Sequence, residues 1–285
     1  LKIFIQYVIN RHYPQIINAN NPAIELFESI MIKQINLVTD WMRVGFIHGV
    51  MNTDNMSIPG ETIDYGPCVF MNVYNPNTVF SSIDRNGRYS FGNQPKILHW
   101  NLAVFANTLM PLISDNEEES IELVKEKLDK FSSIFSYNWY DMMYQKLGIL
   151  IPVDEDRALV DSLLKIMRNY NLDYTNTFAT LTINNESDDI FKIDEFKNWK
   201  LQWECRINFS NNCTENFKLM KRQNPLVIPR NHLVESALDN SEDGNFNQFN
   251  DLLHLLSDPY DYKSNFNLQN TPEGFDDSYK TYCGT

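Results

Sequence analysis

Apolar positions fall into three regimes along this chain. Between residues 21 and 43, Ile24, Leu26, Phe27, Ile30, Met31, Ile35 and Leu37 recur at helical spacing. Asn21 can cap that helix, and Pro22 suits its first position. Phe46-Ile47 and the stretches flanking Ile58 to Glu61 read as short strands. From 65 to 95 the period is lost and Asn, Pro, Ser and Gly dominate, which predicts loop. From Pro95 onward the pattern is helical. Residues 96–112 carry an apolar stripe. Ser114 reads as the cap of a second helix, whose first turn holds Asn116 and Glu117 to Glu119; acids there complement the helix dipole. That helix runs to about Leu147, with a break near Tyr137-Asn138. Further helices are predicted over 156–171, 174–182, 192–208, 214–222, 231–240 and 246–256, with Asn231 as a cap. Trp199, Trp203 and Phe196 share a helix face and read as core. The last 25 or so residues are polar and extended. The pattern is mainly α, and α+β overall through one small hairpin, with a soft boundary near 113–117.

Composition narrows the function classes. A chain of 285 residues with 43% apolar content can bury a real core. Its net charge of −13, from 24 basic and 37 acidic residues, argues against a nucleic-acid partner. No apolar run approaches the roughly 20 residues of a membrane span, so no membrane partner is expected.

The densest polar chemistry lies between His48 and Cys68, HGVMNTDNMSIPGETIDYGPC. A type II turn over Ile58-Pro59-Gly60-Glu61 folds it as a hairpin. Strict pairing then sets Ser57 opposite Thr62, Met56 opposite Ile63 and Asn55 opposite Asp64. Opposed residues have Cβ atoms roughly 4.5–5.5 Å apart. An amide oxygen and a carboxylate at that spacing can share one hard cation such as magnesium, leaving Asp54 free as a base. Protein kinases place an Asn seven residues after the His of their catalytic loop, then a magnesium-binding Asp in Asp-Phe-Gly. Here Asn55 follows His48 by seven, and Asp64-Tyr65-Gly66 stands for Asp-Phe-Gly. Val50 occupies the place of the kinase catalytic Asp. On spacing alone, turn formation is the simpler role for Asp54, Asn55 and Asp64.

Longer strings change that balance. HGVMNTDNMSI (48–58), TIDYGPC (62–68), VFSSID (79–84), GRYSFGNQP (87–95) and WNLA (100–103) closely resemble the selenoprotein O family. So do VINRHYP (8–14), DYTNTF (173–178), IPRNH (228–232), DPY (258–260) and a cysteine third from the end, Cys283. The resemblance implies a protein-kinase-like large lobe over 1–115 and a helical extension with a polar tail over 116–285. It implies transfer of AMP from ATP to Ser, Thr or Tyr hydroxyls of proteins. Asp54 resembles the proton acceptor; Asn55 and Asp64 resemble the ligands of magnesium or manganese, and Asp64 also lies at the nucleotide. A protein kinase and a non-catalytic pseudokinase scaffold stand as the other readings.

The chain has no G-x-G-x-x-G and no lysine in a V-A-I-K context. The resemblance implies that a small nucleotide-covering lobe belongs upstream of Leu1, and that the chain alone binds ATP poorly. The compartment it implies is mitochondrial in a eukaryote and cytoplasmic in a bacterium. Cys68, Cys205 and Cys213 show no metal spacing and read as reduced thiols. A selenocysteine or cysteine stands at the place of Cys283 in many relatives, which implies a redox role. Some relatives pair it with a cysteine after the Asp-Tyr-Gly segment, where this chain has Thr78-Val79-Phe80-Ser81. His48 reads as a packing residue bonded to backbone, and Asn52 as a holder of the loop. Arg85 and Arg88 read as surface salt-bridge formers by default, with contact to a substrate or phosphate as the alternative.

Overall fold

The computed structural model describes residues 1–184, 189–208, 213–262 and 269–282. It is mainly helical. A first helix, α1 (Lys2–His12), leads to α2 (Pro22–Arg43), the central helix of the molecule. Asn21 caps α2 by accepting the Ile24 amide, with Pro22 at the first turn, as the sequence predicts. Leu26, Phe27, Met31, Ile35 and Val38 on α2 are fully shielded from water. They pack against α3 (Gln94–Ile113) and α5 (Phe131–Lys146), with α4 (Glu117–Leu128) between those two in the chain.

The remaining helices are α6 (Asp156–Asn169), α7 (Tyr174–Ile183), α8 (Asp194–Asn208), α9 (Cys213–Gln223), α10 (Asn231–Glu242), α11 (Asn247–Ser257) and the single turn α12 (Phe275–Ser278). On α8, Trp199 and Trp203 stack at 6.0 Å inside the core beside Phe196. One apolar cluster runs from Ile5 on α1 to Met220 on α9. No described helix is long and apolar enough to cross a membrane.

Several local expectations shift. α1 was not anticipated from the sequence. The helix after 114 starts from Asn116, whose side chain accepts the amides of Glu118 and Glu119; the Ser114 hydroxyl instead bonds the Asn116 amide and the Glu119 carboxylate. Its break falls at Asp129–Lys130, not at Tyr137-Asn138, because the turn there lets Phe131 re-enter the core. Asn231 is the first residue of α10 rather than its cap, and its amide reaches the Phe70 carbonyl at 3.4 Å. The loop region holds a strand the pattern hid: β1 (Phe46–Ile47) pairs antiparallel with β2 (Val69–Phe70), Phe46 against Phe70 and Ile47 against Val69.

Candidate active site

The β1–β2 pair closes the base of the polar segment, so residues 48–68 leave and return at one place. His48 starts the segment and is fully buried. Its backbone amide donates to Gln94 Oε1 at 3.1 Å, while Gln94 Nε2 donates to the Phe46 carbonyl at 3.1 Å. Its Nδ1 lies 3.4 Å from the Val50 amide, and its Nε2 lies 2.8 Å from the Ile63 carbonyl. A ring that accepts at Nδ1 and donates at Nε2 satisfies both contacts, which fixes a neutral tautomer. Burial against Trp41 and Phe46 pushes its pKa below the ordinary imidazole value.

Downstream, two carbonyls of the loop are met by side-chain amides. Asn55 Nδ2 donates to the Val50 carbonyl at 2.8 Å, and Asn101 Nδ2 to the Met51 carbonyl at 3.0 Å. The Tyr89 hydroxyl donates to Asn52 Oδ1 at 2.5 Å, so Asn52 holds the loop. Thr53–Asn55 form one 3-10 turn, which leaves Asp54 exposed and without a side-chain partner among the described residues.

The hairpin differs from expectation by one register. Met56 bridges Thr62, not Ile63, so Asn55 does not sit opposite Asp64. The tight turn spans Ser57 to Gly60, with the Gly60 amide 3.0 Å from the Ser57 carbonyl and Gly60 at φ +76°. Contacts outside the hairpin set that register. The Tyr13 hydroxyl donates to the Ile58 carbonyl at 2.6 Å, Gln34 donates to the Ser57 carbonyl, and Trp41 Nε1 donates to Thr62 Oγ1 at 2.8 Å. A Cβ on Gly60 would lie 2.9 Å from that of Lys33. Asn55 and Asp64 still open from the same end of the hairpin, one residue before Met56 and two after Thr62.

Asp64 adopts the left-handed region at φ 56°, and its Oδ1 accepts the Gly66 amide at 3.2 Å. That local bond is what lets an aspartate take such a backbone. At Gly49 (φ +82°), a Cβ would come within 2.7 Å of the Pro67 carbonyl oxygen, so the loop presses directly on the segment just after Asp64. Cys68 is half-buried and free, and burial raises its thiol pKa.

The segment after Asp64 is shaped by Asp84, whose carboxylate accepts the amides of Arg88 at 2.8 Å and Tyr89 at 2.7 Å. Arg88 stacks over Trp100 at 4.8 Å and over Tyr89 at 5.6 Å, and among the described residues it meets no acid. The C-terminal tail crosses this segment. The Thr281 amide donates to the Phe80 carbonyl, the Ser82 amide to the Thr281 carbonyl, and Thr281 Oγ1 to the Pro67 carbonyl, each at 2.9 Å. Cys283 lies outside the described residues. Cys205 is exposed and free.

Gln94, Asn101, Tyr89, Gln34 and Thr281 were not singled out from the sequence. Gln94 and Asn101 are polar positions on the buried face of an apolar-striped helix, a signal that asks for a nearby backbone partner. Among the described residues no group of three or more His, Cys, Asp or Glu side chains is placed to hold a metal.

The fold and the site define a helical protein that presents two exposed carboxylates, Asp54 and Asp64, and the Asn55 carboxamide from a segment braced on a buried histidine. Residues 1–257 match the family model described as protein adenylyltransferase SelO, and the chain belongs to that family. Relatives named protein nucleotidyltransferase YdiU include those of Clostridium beijerinckii (49% identical over 288 residues) and Pelagibacter ubique (48% over 290). A further one, from Bacillus mycoides, is 43% identical over 289 residues. Each alignment takes in 100% of this chain, but the chain spans only 59–60% of the length of those relatives.

Proposed function

We propose that the whole protein moves AMP from ATP to the Ser, Thr or Tyr hydroxyls of other proteins, and that this chain carries its catalytic loop. The observation that carries the reading is the His48–Ile63 bond, 2.8 Å long, which ties the Asp54-Asn55 turn to the segment ending in Asp64. Such a tie makes one working unit of two short strings. The fold we assign to residues 1–115 is a kinase-like large lobe, with α2 delivering the chain to the loop and α3 bracing it from below. Residues 116–285 are its helical extension. That division is one of chemistry rather than packing, since a single apolar cluster crosses it.

In the proposed reaction the hydroxyl oxygen of the target attacks the α-phosphorus. The bond from that phosphorus to the bridging oxygen breaks, and pyrophosphate leaves. Asp54, exposed at the tip of its turn, takes the hydroxyl proton. Asn55 and Asp64 suit a hard divalent cation. Asn55 commits its Nδ2 to the Val50 carbonyl and keeps its Oδ1 lone pairs, and Asp64 uses one oxygen for the Gly66 amide and keeps the other. Two such donors leave the remaining positions of a magnesium or manganese ion to phosphate oxygens and water. The bound cation would supply charge stabilisation at the phosphates. In a bacterium the proposed setting is the cytoplasm.

The test uses the full-length protein with labelled ATP, magnesium or manganese, and a mixture of candidate proteins. AMP on protein, lost in Asp54→Ala and Asp64→Ala, is the expected result. A phosphate adduct, separable by mass, would assign kinase chemistry instead. Transfer undiminished by both substitutions would remove the site assignment, and no nucleotide affinity at all would favour a scaffold.

A further inference from the structure

Behind the turn that carries Asp54 and Asn55 lies a cavity of about 230 Å³, bounded by α2, α3 and the 53–58 segment. Its wall is mostly apolar, with Ile30, Met56, Ile58, Leu98, Leu102 and Phe105 among its residues, and no charged side chain among the described residues lines it. An apolar cavity of about 150 Å³ already holds benzene, so this one has room for two fused rings.

Two carboxamides border the same space, Gln34 from α2 and Asn101 from α3. They are 2% and 5% exposed. Each gives its nitrogen to the loop, Gln34 to the Ser57 carbonyl and Asn101 to the Met51 carbonyl. Each keeps an oxygen, Gln34 Oε1 and Asn101 Oδ1, that is buried with no donor among the described residues. Buried acceptors are ordinarily paired, because leaving one unmet is costly. Both oxygens belong to residues that line the cavity, and both are shut off from bulk water. The last torsion of a carboxamide is soft, so a small tilt presents either oxygen to the cavity.

We propose that this cavity is a binding site for an uncharged, mostly apolar molecule of one or two fused rings that bears an N–H donor. The rings replace solvent against the aliphatic wall, and the N–H meets Gln34 Oε1 or Asn101 Oδ1. The two carboxamides hold the loop at Met51 and Ser57, on either side of Asp54 and Asn55, so an occupant bears on the loop from behind. The site does not depend on the nucleotide reading and is tested without nucleotide.

Indole and indene are the probes, since they share size and shape and only indole has the N–H. Titration of the isotope-labelled chain, followed by backbone amide shifts, is expected to move Thr53, Met56 and Leu102 together and saturably with indole. Indole should bind about fivefold more tightly than indene, the yield of one net hydrogen bond, although indene is the more apolar. Val104→Phe, at a half-buried wall position, should remove indole binding with the melting temperature little changed. If that variant misfolds, the indole-to-indene ratio in the wild type decides. Absence of saturable shifts at these residues overturns the site, as does saturation elsewhere. Indene binding as tightly as indole overturns the role of the two oxygens.

Discussion

His48 Nε2 and the carbonyl oxygen of Ile63 lie 2.8 Å apart, although fifteen residues separate them in the chain. The bond joins the residue that opens the polar loop to the one just before Asp64. With Nδ1 facing the Val50 amide, a single buried ring fixes the start of the loop and its return segment together.

Removing that ring should loosen both. His48→Ala leaves the Ile63 carbonyl without its donor, at a cost of about 1–3 kcal/mol, read by urea unfolding. The pH dependence gives a second readout. Burial lowers the folded pKa of His48 below its unfolded value near 6.5. As pH falls through about 6.5 the unfolded chain takes up a proton that the folded one resists, so stability present above that pH is lost below it. His48→Ala should therefore lose less stability than wild type between pH 7 and pH 5. Equal losses in the two proteins would mean that the ring is not held neutral.

Gly49 and Gly244 make a matched pair, at φ +82° and φ +83°. A Cβ at Gly49 meets the Pro67 carbonyl at 2.7 Å, whereas one at Gly244 meets nothing within 4 Å. Both alanine variants suffer the left-handed penalty of about 1–2 kcal/mol. Gly49→Ala should cost at least about 1 kcal/mol more, and in the full-length protein it should depress the proposed AMP transfer as well. Equal costs would show that the loop does not press on Pro67.

The sequence made the helices legible where caps and spacing agreed, as at Asn21 with Ile24 through Leu37. It also marked His48, Asp54, Asn55 and Asp64 as one neighbourhood. The hairpin register was not legible, because it is decided by Tyr13, Gln34 and Trp41, which touch it from other parts of the chain. β1 was legible at Phe46-Ile47, but β2 and its pairing escaped for a similar reason. Two residues at Val69-Phe70 carry no period, and the pairing is seen only when Gly45 and Met71 meet, with the Met71 amide 2.8 Å from the Gly45 carbonyl. The tail reads as polar and extended, yet three bonds through Thr281 make it part of the site's frame.

Those three bonds can be separated. Thr281→Val keeps the shape and both backbone bonds but removes the hydroxyl from the Pro67 carbonyl. It should cost about 1 kcal/mol. Deleting residues 279–285 removes all three, and hydrogen exchange at the Ser82 amide should then approach that of an open loop, while amides in α2 keep their protection. Unchanged exchange at Ser82 would mean the tail does not hold the segment.

Lys146 offers a titration with a clear sign. It is 1% exposed; its Nζ donates to the Arg43 carbonyl at 2.8 Å and lies 4.1 Å from the centre of the Phe178 ring. No carboxylate among the described residues reaches it, and Arg43 is the charged group felt nearby. Burial therefore depresses its pKa well below the ordinary lysine value. Between that depressed value and about 10.4 the unfolded chain binds a proton that the folded chain does not, so wild-type stability rises with pH across that window. Lys146→Met keeps the volume and removes the titration, at the cost of leaving the Arg43 carbonyl unpaired. The difference in melting temperature, variant minus wild type, should thus fall as the pH rises toward about 10. A difference that holds constant across that window would mean that the amine is as readily protonated inside the fold as outside it.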